Sequence, residues 1–276
     1  MQYDPIKRSL GKVFNQTPAL RILFYRLLDL LLLRSWYIRR ELKKKASQSN
    51  TDLTVLDAGS GFGQYDYFMS SLGKKWKITG VDVKEEQIAD CNQFFNKIGR
   101  GNRVQFEIGD LTKYVKPDTY DLILSVDVME HILEDELVFE NFHKSMKKGG
   151  TLLISTPSDQ GGSDTHHHHE EDGIHGFIDE HVRDGYNAND IRQKLGKAGF
   201  SEIETHYTYG KSGSLSWKLS MKFPILMLNA SKLFFIILPF YYILTYPIAF
   251  ILNIADTASE QKTGTGLMVV AHKNNK

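Results

Sequence analysis

One stretch constrains this chain more than any other: Thr54-Val-Leu-Asp-Ala-Gly-Ser-Gly-Phe-Gly63, where a short apolar run leads straight into a turn with glycine at every second position. A helical stretch, Tyr65 to Leu72, follows at once, so the pattern is strand, glycine turn, helix. Glycine leaves backbone N–H groups open to a ligand with no Cβ in the way, and a turn built like this serves nucleotide cofactors. Dinucleotide enzymes need G-x-G-x-x-G, and Gln64 stands where the third glycine belongs, which weakens an oxidoreductase reading.

Two more apolar runs end in acids. Trp76-Lys-Ile-Thr-Gly-Val-Asp82-Val83 places a carboxylate 19 positions beyond Gly63, and one ionised carboxylate can accept from both hydroxyls of a ribose. Val104-Gln-Phe-Glu-Ile-Gly-Asp110-Leu111 repeats the arrangement. With these acids in place, Asp57-Ala-Gly59-Ser-Gly61-Phe-Gly63 resembles motif I, E/D-x-G-x-G-x-G, of the class I (Rossmann-like) S-adenosylmethionine-dependent methyltransferases. The resemblance implies that Asp57, Gly59, Gly61 and Gly63 hold the amino acid end of S-adenosylmethionine. It also implies that Asp82 with Val83 takes the ribose, that Asp110 with Leu111 takes the adenine amino group, and that Val126 borders the same site.

The alternation continues with a strand at Tyr120 to Val126, a helix at Glu134 to Lys147, a strand at Lys147 to Pro157, a helix at Asn187 to Gly199 and strands at Glu202 to Tyr209 and Gly266 to His272. Such alternation implies right-handed crossovers and an α/β sheet with helices on both faces. The methyltransferase resemblance adds seven strands with the last antiparallel, over residues 51–210 and 264–276.

Two additions flank that core. Residues 1–50 carry eleven Lys or Arg against three acids, a local charge of +8 in a chain whose totals, 34 and 33, nearly balance; no global field favours nucleic acid. Leu20, Phe24, Leu27, Leu31, Ile38 and Leu42 share one helical face opposite Arg21, Arg26, Asp29, Arg40 and Lys43, a pattern for an amphipathic helix on an anionic membrane or for a cap on the sheet. It does not read as a signal peptide, because charges recur inside the apolar run. The second addition, within 211–263, contains 22 residues without a charge, Leu233 to Ile254. Its length suits a membrane span, but a single crossing would strand the last strand on the far side, and Pro239 and Pro247 predict a break into two short helices. Such a pair dips into one leaflet with Tyr241, Tyr242 and Tyr246 at the interface, or else forms a homodimer contact.

After the fourth strand comes Asp127-Val-Met-Glu130-His131, similar to the Glu-x-x-Glu-His motif of small-RNA 2′-O-methyltransferases and of ubiquinone-pathway O-methyltransferases. The resemblance implies a divalent ion, Mg or Zn, held by Asp127, Glu130, His131 and a later histidine, best His181, with Glu130, His131 or His181 as base; the alternative is helix capping. His166 to His169 read as a lid loop, and Arg183 and Tyr186 as contacts for an anionic or phenolic headgroup. The Asn-Pro-Pro-Tyr tetrapeptide used for nitrogen acceptors is absent at Ser125 to Val128, which points to oxygen. Taken together, the expectation is O-methylation of a lipidic, polyprenyl or aryl hydroxyl by a protein peripheral on the cytoplasmic, inner face of a membrane. The single Cys91 precludes an internal disulfide framework. A soluble small-molecule methyltransferase with a dimerising insert, and an inactive cofactor-binding scaffold, are the other readings.

Overall fold

The computed structural model describes residues 17–48, 52–161, 182–231 and 233–274. Seven strands form one sheet: β1 (Thr54–Ala58), β2 (Lys77–Asp82), β3 (Val104–Ile108), β4 (Tyr120–Val126), β5 (Met146–Pro157), β6 (Phe200–Thr208) and β7 (Gly266–Lys273). Their spatial order is β3-β2-β1-β4-β5-β7-β6. β1 to β5 pair in parallel, and β7 runs antiparallel to β5 and β6, as the resemblance implied.

The central strands are apolar at successive positions because helices cover both faces. Successive side chains alternate between two cores: Val55, Leu122, Leu124 and Leu153 face one, while Leu56, Ile123, Leu152 and Ile154 face the other. The first core is closed by α2 (Leu33–Gln48), α3 (Gln64–Leu72) and α4 (Glu85–Lys97), which contribute Ile38, Leu42, Met69, Phe94 and Phe95. The second is closed by α5 (Asp135–Ser145) and α6 (Ala188–Lys197) through Phe139, Phe142, Ile191 and Leu195. Each such aliphatic or aromatic side chain stabilises the fold by about 2 kcal/mol on burial.

The N-terminal region departs from the expected amphipathic helix. It is two helices, α1 (Pro18–Leu31) and α2, broken at Leu32, whose backbone is extended. Thr17 caps α1 by accepting from the Leu20 N–H, with Pro18 at the first helical position. Ile38 and Leu42 are buried as expected, but Arg21, assigned to the outward basic face, is only 2 % exposed. It reaches inward to the Tyr25 hydroxyl, the Asp90 carboxylate, the Phe62 carbonyl and the Cys91 sulfur. Phe62, Asp90 and Cys91 lie 41, 69 and 70 positions further along the chain, so helical spacing could not reveal them. Leu23, Leu27 and Leu30 face outward instead.

Between β6 and β7 the chain runs out and back as a helical hairpin. The outgoing arm is α7 (Lys211–Trp217), a π turn (Lys218–Lys222) and α8 (Phe223–Ala230); the returning arm is α9 (Phe234–Ala258). Contrary to expectation, α9 is continuous through Pro239 and Pro247. Packing along the other arm offsets the lost backbone bonds: Tyr241 donates to the Leu219 carbonyl, Tyr242 to Ser220 and Ser216 to Ala249. The tyrosine hydroxyls expected at a bilayer interface therefore point inward, with Tyr246 donating to the Leu30 carbonyl. Both ends of the hairpin are on one side, so β7 completes the sheet. The outer face of α9 is bare, with Ile236, Phe240, Ile243, Leu244, Ile248 and Ile251 all exposed and Leu244 74 % so.

Candidate active site

The glycine turn sits where β1 hands over to α3. Gly59, Gly61 and Gly63 all take positive φ (84°, 53° and 79°), which an L side chain adopts only under strain. Their surroundings differ. A Cβ on Gly59 would meet a methyl of Val128 at 2.2 Å, so that glycine serves close packing, whereas nothing lies within 4 Å of a Cβ on Gly61. That free space over an open backbone suits a cofactor.

The turn is held from behind. The N–H groups of Gly59 and Ser60 donate to the Val81 carbonyl at 2.8 and 3.0 Å, and the Gly61 N–H to the Asp82 carboxylate at 3.0 Å. Asp82 also accepts from the Lys84 N–H at 3.0 Å. From the outside, Arg21 and Tyr25 of α1 both donate to the Phe62 carbonyl, latching the N-terminal helix onto the turn.

The remaining expected cofactor residues lie at the carboxyl ends of adjacent strands, the usual place for a ligand crevice in a sheet of this kind. Val83 follows β2 and is 59 % exposed, unusual for a valine beside a core. Asp110 follows β3; its carboxylate accepts from the Thr112 side chain and N–H at 2.7 and 2.9 Å, which hold it below the usual carboxylate range. Leu111 is buried beside it, and Val126 ends β4.

Asp57 is buried at the end of β1 against a second buried acid, Asp66 of α3. Burial and the neighbouring Asp57 keep Asp66 well above the usual carboxylate range. Asp57 is pushed up to about 7 by burial. Oδ2 of Asp57 and both carboxyl oxygens of Asp66 are buried with no hydrogen-bond partner among the described residues. A buried acceptor of this sort fits the cationic amino acid end of S-adenosylmethionine.

On the acceptor side, Asp127 leaves β4 with φ +50°, a left-handed conformation that aims its carboxylate at Arg34. Arg34 is half-buried at the start of α2, its N–H donating to the Tyr209 hydroxyl at 2.9 Å. Its Nε is buried with no hydrogen-bond partner among the described residues. Glu130, in the turn Met129–His131, is buried and accepts from Thr156 at 3.1 Å. Burial raises its carboxyl above the usual range. His131 is exposed at the rim.

This geometry does not assemble the metal site that the Glu-His motif implied. Asp127 is engaged by Arg34, Glu130 points inward to Thr156, and no group of three metal-ligating side chains exists among the described residues. His181 and His166 to His169 lie outside the described residues. The headgroup roles expected for Arg183 and Tyr186 also give way. Arg183 pairs with Asp135 and donates to the Ile132 and Leu133 carbonyls, and buried Tyr186 donates to Asp135 at 2.7 Å, so both brace the turn that carries Glu130. Arg34 was missed because its role depends on the break at Leu32 and on a partner 93 positions away.

A family described as "Methyltransferase domain" matches residues 49–204, more than half of the chain. Phosphoethanolamine N-methyltransferase 3 of Arabidopsis thaliana is 31 % identical over 160 residues, which cover 54 % of this chain and 29 % of that protein. The mitochondrial ubiquinone biosynthesis O-methyltransferase of Homo sapiens is 27 % identical over 108 residues, 38 % of this chain and 28 % of the relative. The chain thus spans less than a third of the length of these curated relatives. Among solved structures, phosphoethanolamine N-methyltransferase 2 of Haemonchus contortus in complex with S-adenosyl-L-methionine superposes with a TM-score of 0.60 at 16 % identity, over 97 % of this chain and 60 % of that one. With the sheet order and the glycine turn, these matches give the conclusion that the chain belongs to the methyltransferase domain family, as a class I, Rossmann-like, S-adenosylmethionine-dependent member.

Proposed function

We propose that this protein methylates the polar headgroup of a lipidic acceptor at a membrane surface, at an amine nitrogen beside an anionic group. The observation that carries the reading is the Arg34–Asp127 pair with Glu130, set at the carboxyl end of β4 next to the root of a bare apolar hairpin. The link is short: Tyr209 accepts from Arg34 and donates its own N–H to Asp256, which ends α9 and also accepts from Tyr37 and the Gly213 N–H.

Bound S-adenosylmethionine supplies an electrophilic methyl on a sulfonium. The chain's own residues do the rest. The unpartnered Nε of Arg34 donates to the acceptor's anionic group; Asp127 and Glu130 hold the ammonium, and Glu130, raised by burial, takes its proton so that a lone pair faces the methyl. The relatives named for N-methylation favour nitrogen over the oxygen acceptor expected from the sequence. Oxygen is retained as the second reading, on the Glu130-His131 pair and the similarity to the ubiquinone O-methyltransferase. The reading includes a peripheral placement on the cytoplasmic face, and the bare apolar face of α9 supports its lying in the outer part of one leaflet.

The test is transfer of label from methyl-labelled S-adenosylmethionine into an organic extract of host membranes. Label in the organic phase, released by acid hydrolysis as a methylamine, is expected; label retained on a hydroxyl assigns oxygen, and label only in the aqueous phase overturns the lipid acceptor.

A further inference from the structure

The cleft between α1 and α2 lies outside the cofactor and acceptor sites, and it is basic. It is open, has a volume of about 430 Å³, and carries Arg26, Arg39, Arg40 and Lys43 against one acid, Asp29. Asp29 is already taken up, by Arg39 and by the Gln64 amide at 2.8 Å. Arg40 donates to the Thr257 carbonyl at 2.6 Å, which leaves half of its side chain exposed and fixes it at the end of α9. Arg26 and Lys43 are exposed and make no hydrogen bond or ion pair among the described residues. Arg40 also pairs with Glu41 at 3.4 Å, so the cations left without an acid in the cleft are Arg26 and Lys43.

The other wall of the cleft is apolar and continuous with the hairpin. Trp36 donates its ring N–H to the Leu30 carbonyl at 3.2 Å, and its ring meets Phe250 of α9 edge-on at 5.2 Å. Beyond Phe250 lie the exposed Ile251, Ile248 and Leu244, and Leu27 and Leu30 extend the same apolar rim on α1. The order across this surface is cation, indole, aliphatic, which matches the order of phosphate, interface and acyl chain in a bilayer.

We propose that this cleft binds the phosphate of an anionic phospholipid in the bilayer while α9 rests on its acyl chains, a docking site separate from the one that holds the methyl acceptor. It rests on the membrane reading above and adds the headgroup charge that the surface selects. Each Lys or Arg near an anionic surface contributes enough that neutralising two weakens partition by about 30-fold.

The experiment is flotation of the full chain with vesicles of phosphatidylcholine alone and of equal parts phosphatidylcholine and phosphatidylglycerol. Three proteins are compared: wild type, the double variant Arg26→Gln/Lys43→Gln, and the apolar variant Leu244→Glu/Ile251→Glu. The wild type should prefer the anionic vesicles, the double variant should lose about 30-fold on those vesicles with little change on neutral ones, and the apolar variant should lose both. Equal binding of wild type and double variant to anionic vesicles overturns the cleft while leaving membrane contact standing. Failure of the wild type on both vesicle types overturns both. Release from anionic vesicles by inorganic phosphate, at an ionic strength where chloride has no effect, would assign the cleft to a soluble phosphate and also overturn the proposal.

Discussion

At the scale of single residues, the three turn glycines make different predictions. Gly59→Ala places a methyl 2.2 Å from Val128 at φ +84°, so it should lower stability by about 2–4 kcal/mol and weaken cofactor binding. Gly61→Ala meets nothing within 4 Å, so it should cost only about 1–2 kcal/mol of stability yet still weaken S-adenosylmethionine. Urea titration with calorimetric cofactor binding separates the two; equal effects on stability would contradict the assignment. Glu130→Gln keeps the shape and the Thr156 contact but removes the base, and turnover should fall about 10²- to 10⁴-fold with cofactor affinity unchanged. The buried pair Asp57 and Asp66 sets a pH dependence. Asp57 titrates at about 7 in the folded chain against an ordinary 3.8, so the pair's contribution to stability is full below about pH 4 and is lost as pH rises towards 7. The urea midpoint should fall across that window, and Asp57→Asn, which removes the group that titrates in it, should flatten it. Asp57, Asp82 and Asp110 were legible in the sequence because each ends an apolar run. Arg21 and Arg34 were not, because an arginine in a basic segment looks solvated until a partner 69 or 93 positions away is brought to it.

At the scale of elements, α1 is a latch rather than a free amphipathic helix. Its buried Arg21 holds Asp90 of α4 and the Phe62 carbonyl of the glycine turn, with Tyr25 on the same carbonyl. Breaking that buried pair by Arg21→Met should destabilise the fold by about 3 kcal/mol and raise amide exchange through residues 59–63. Exchange unchanged in the turn would show that α1 merely covers the sheet. The seven strands and the helices α3, α5 and α6 were readable from hydrophobic period and turn residues to within a residue or two, because in a parallel sheet local pattern and global burial agree, whereas α4 (Glu85–Lys97) was not assigned. The break at Leu32 and the continuity of α9 through Pro239 and Pro247 were not. Both are decided by packing between elements, where Tyr241, Tyr242 and Ser216 bond across the hairpin.

At the scale of the whole molecule, the cofactor crevice and the apolar hairpin share one strut. Asp256 closes α9, fixes Tyr209 and Tyr37, and through Tyr209 touches the arginine that pairs with Asp127. A bilayer under α9 would thus meet the acceptor site through rigid elements, which gives a reason for placing an insert between the last two strands of an otherwise ordinary sheet. The central claim is that the hairpin delivers a lipid acceptor to a site that binds its cofactor independently. The most direct measurement is label transfer into the organic phase by wild type and by Leu244→Glu/Ile251→Glu, with cofactor affinity measured on the same preparations. The account predicts unchanged affinity and loss of organic-phase label in the variant. Label transferred as fast by the variant as by wild type would contradict it.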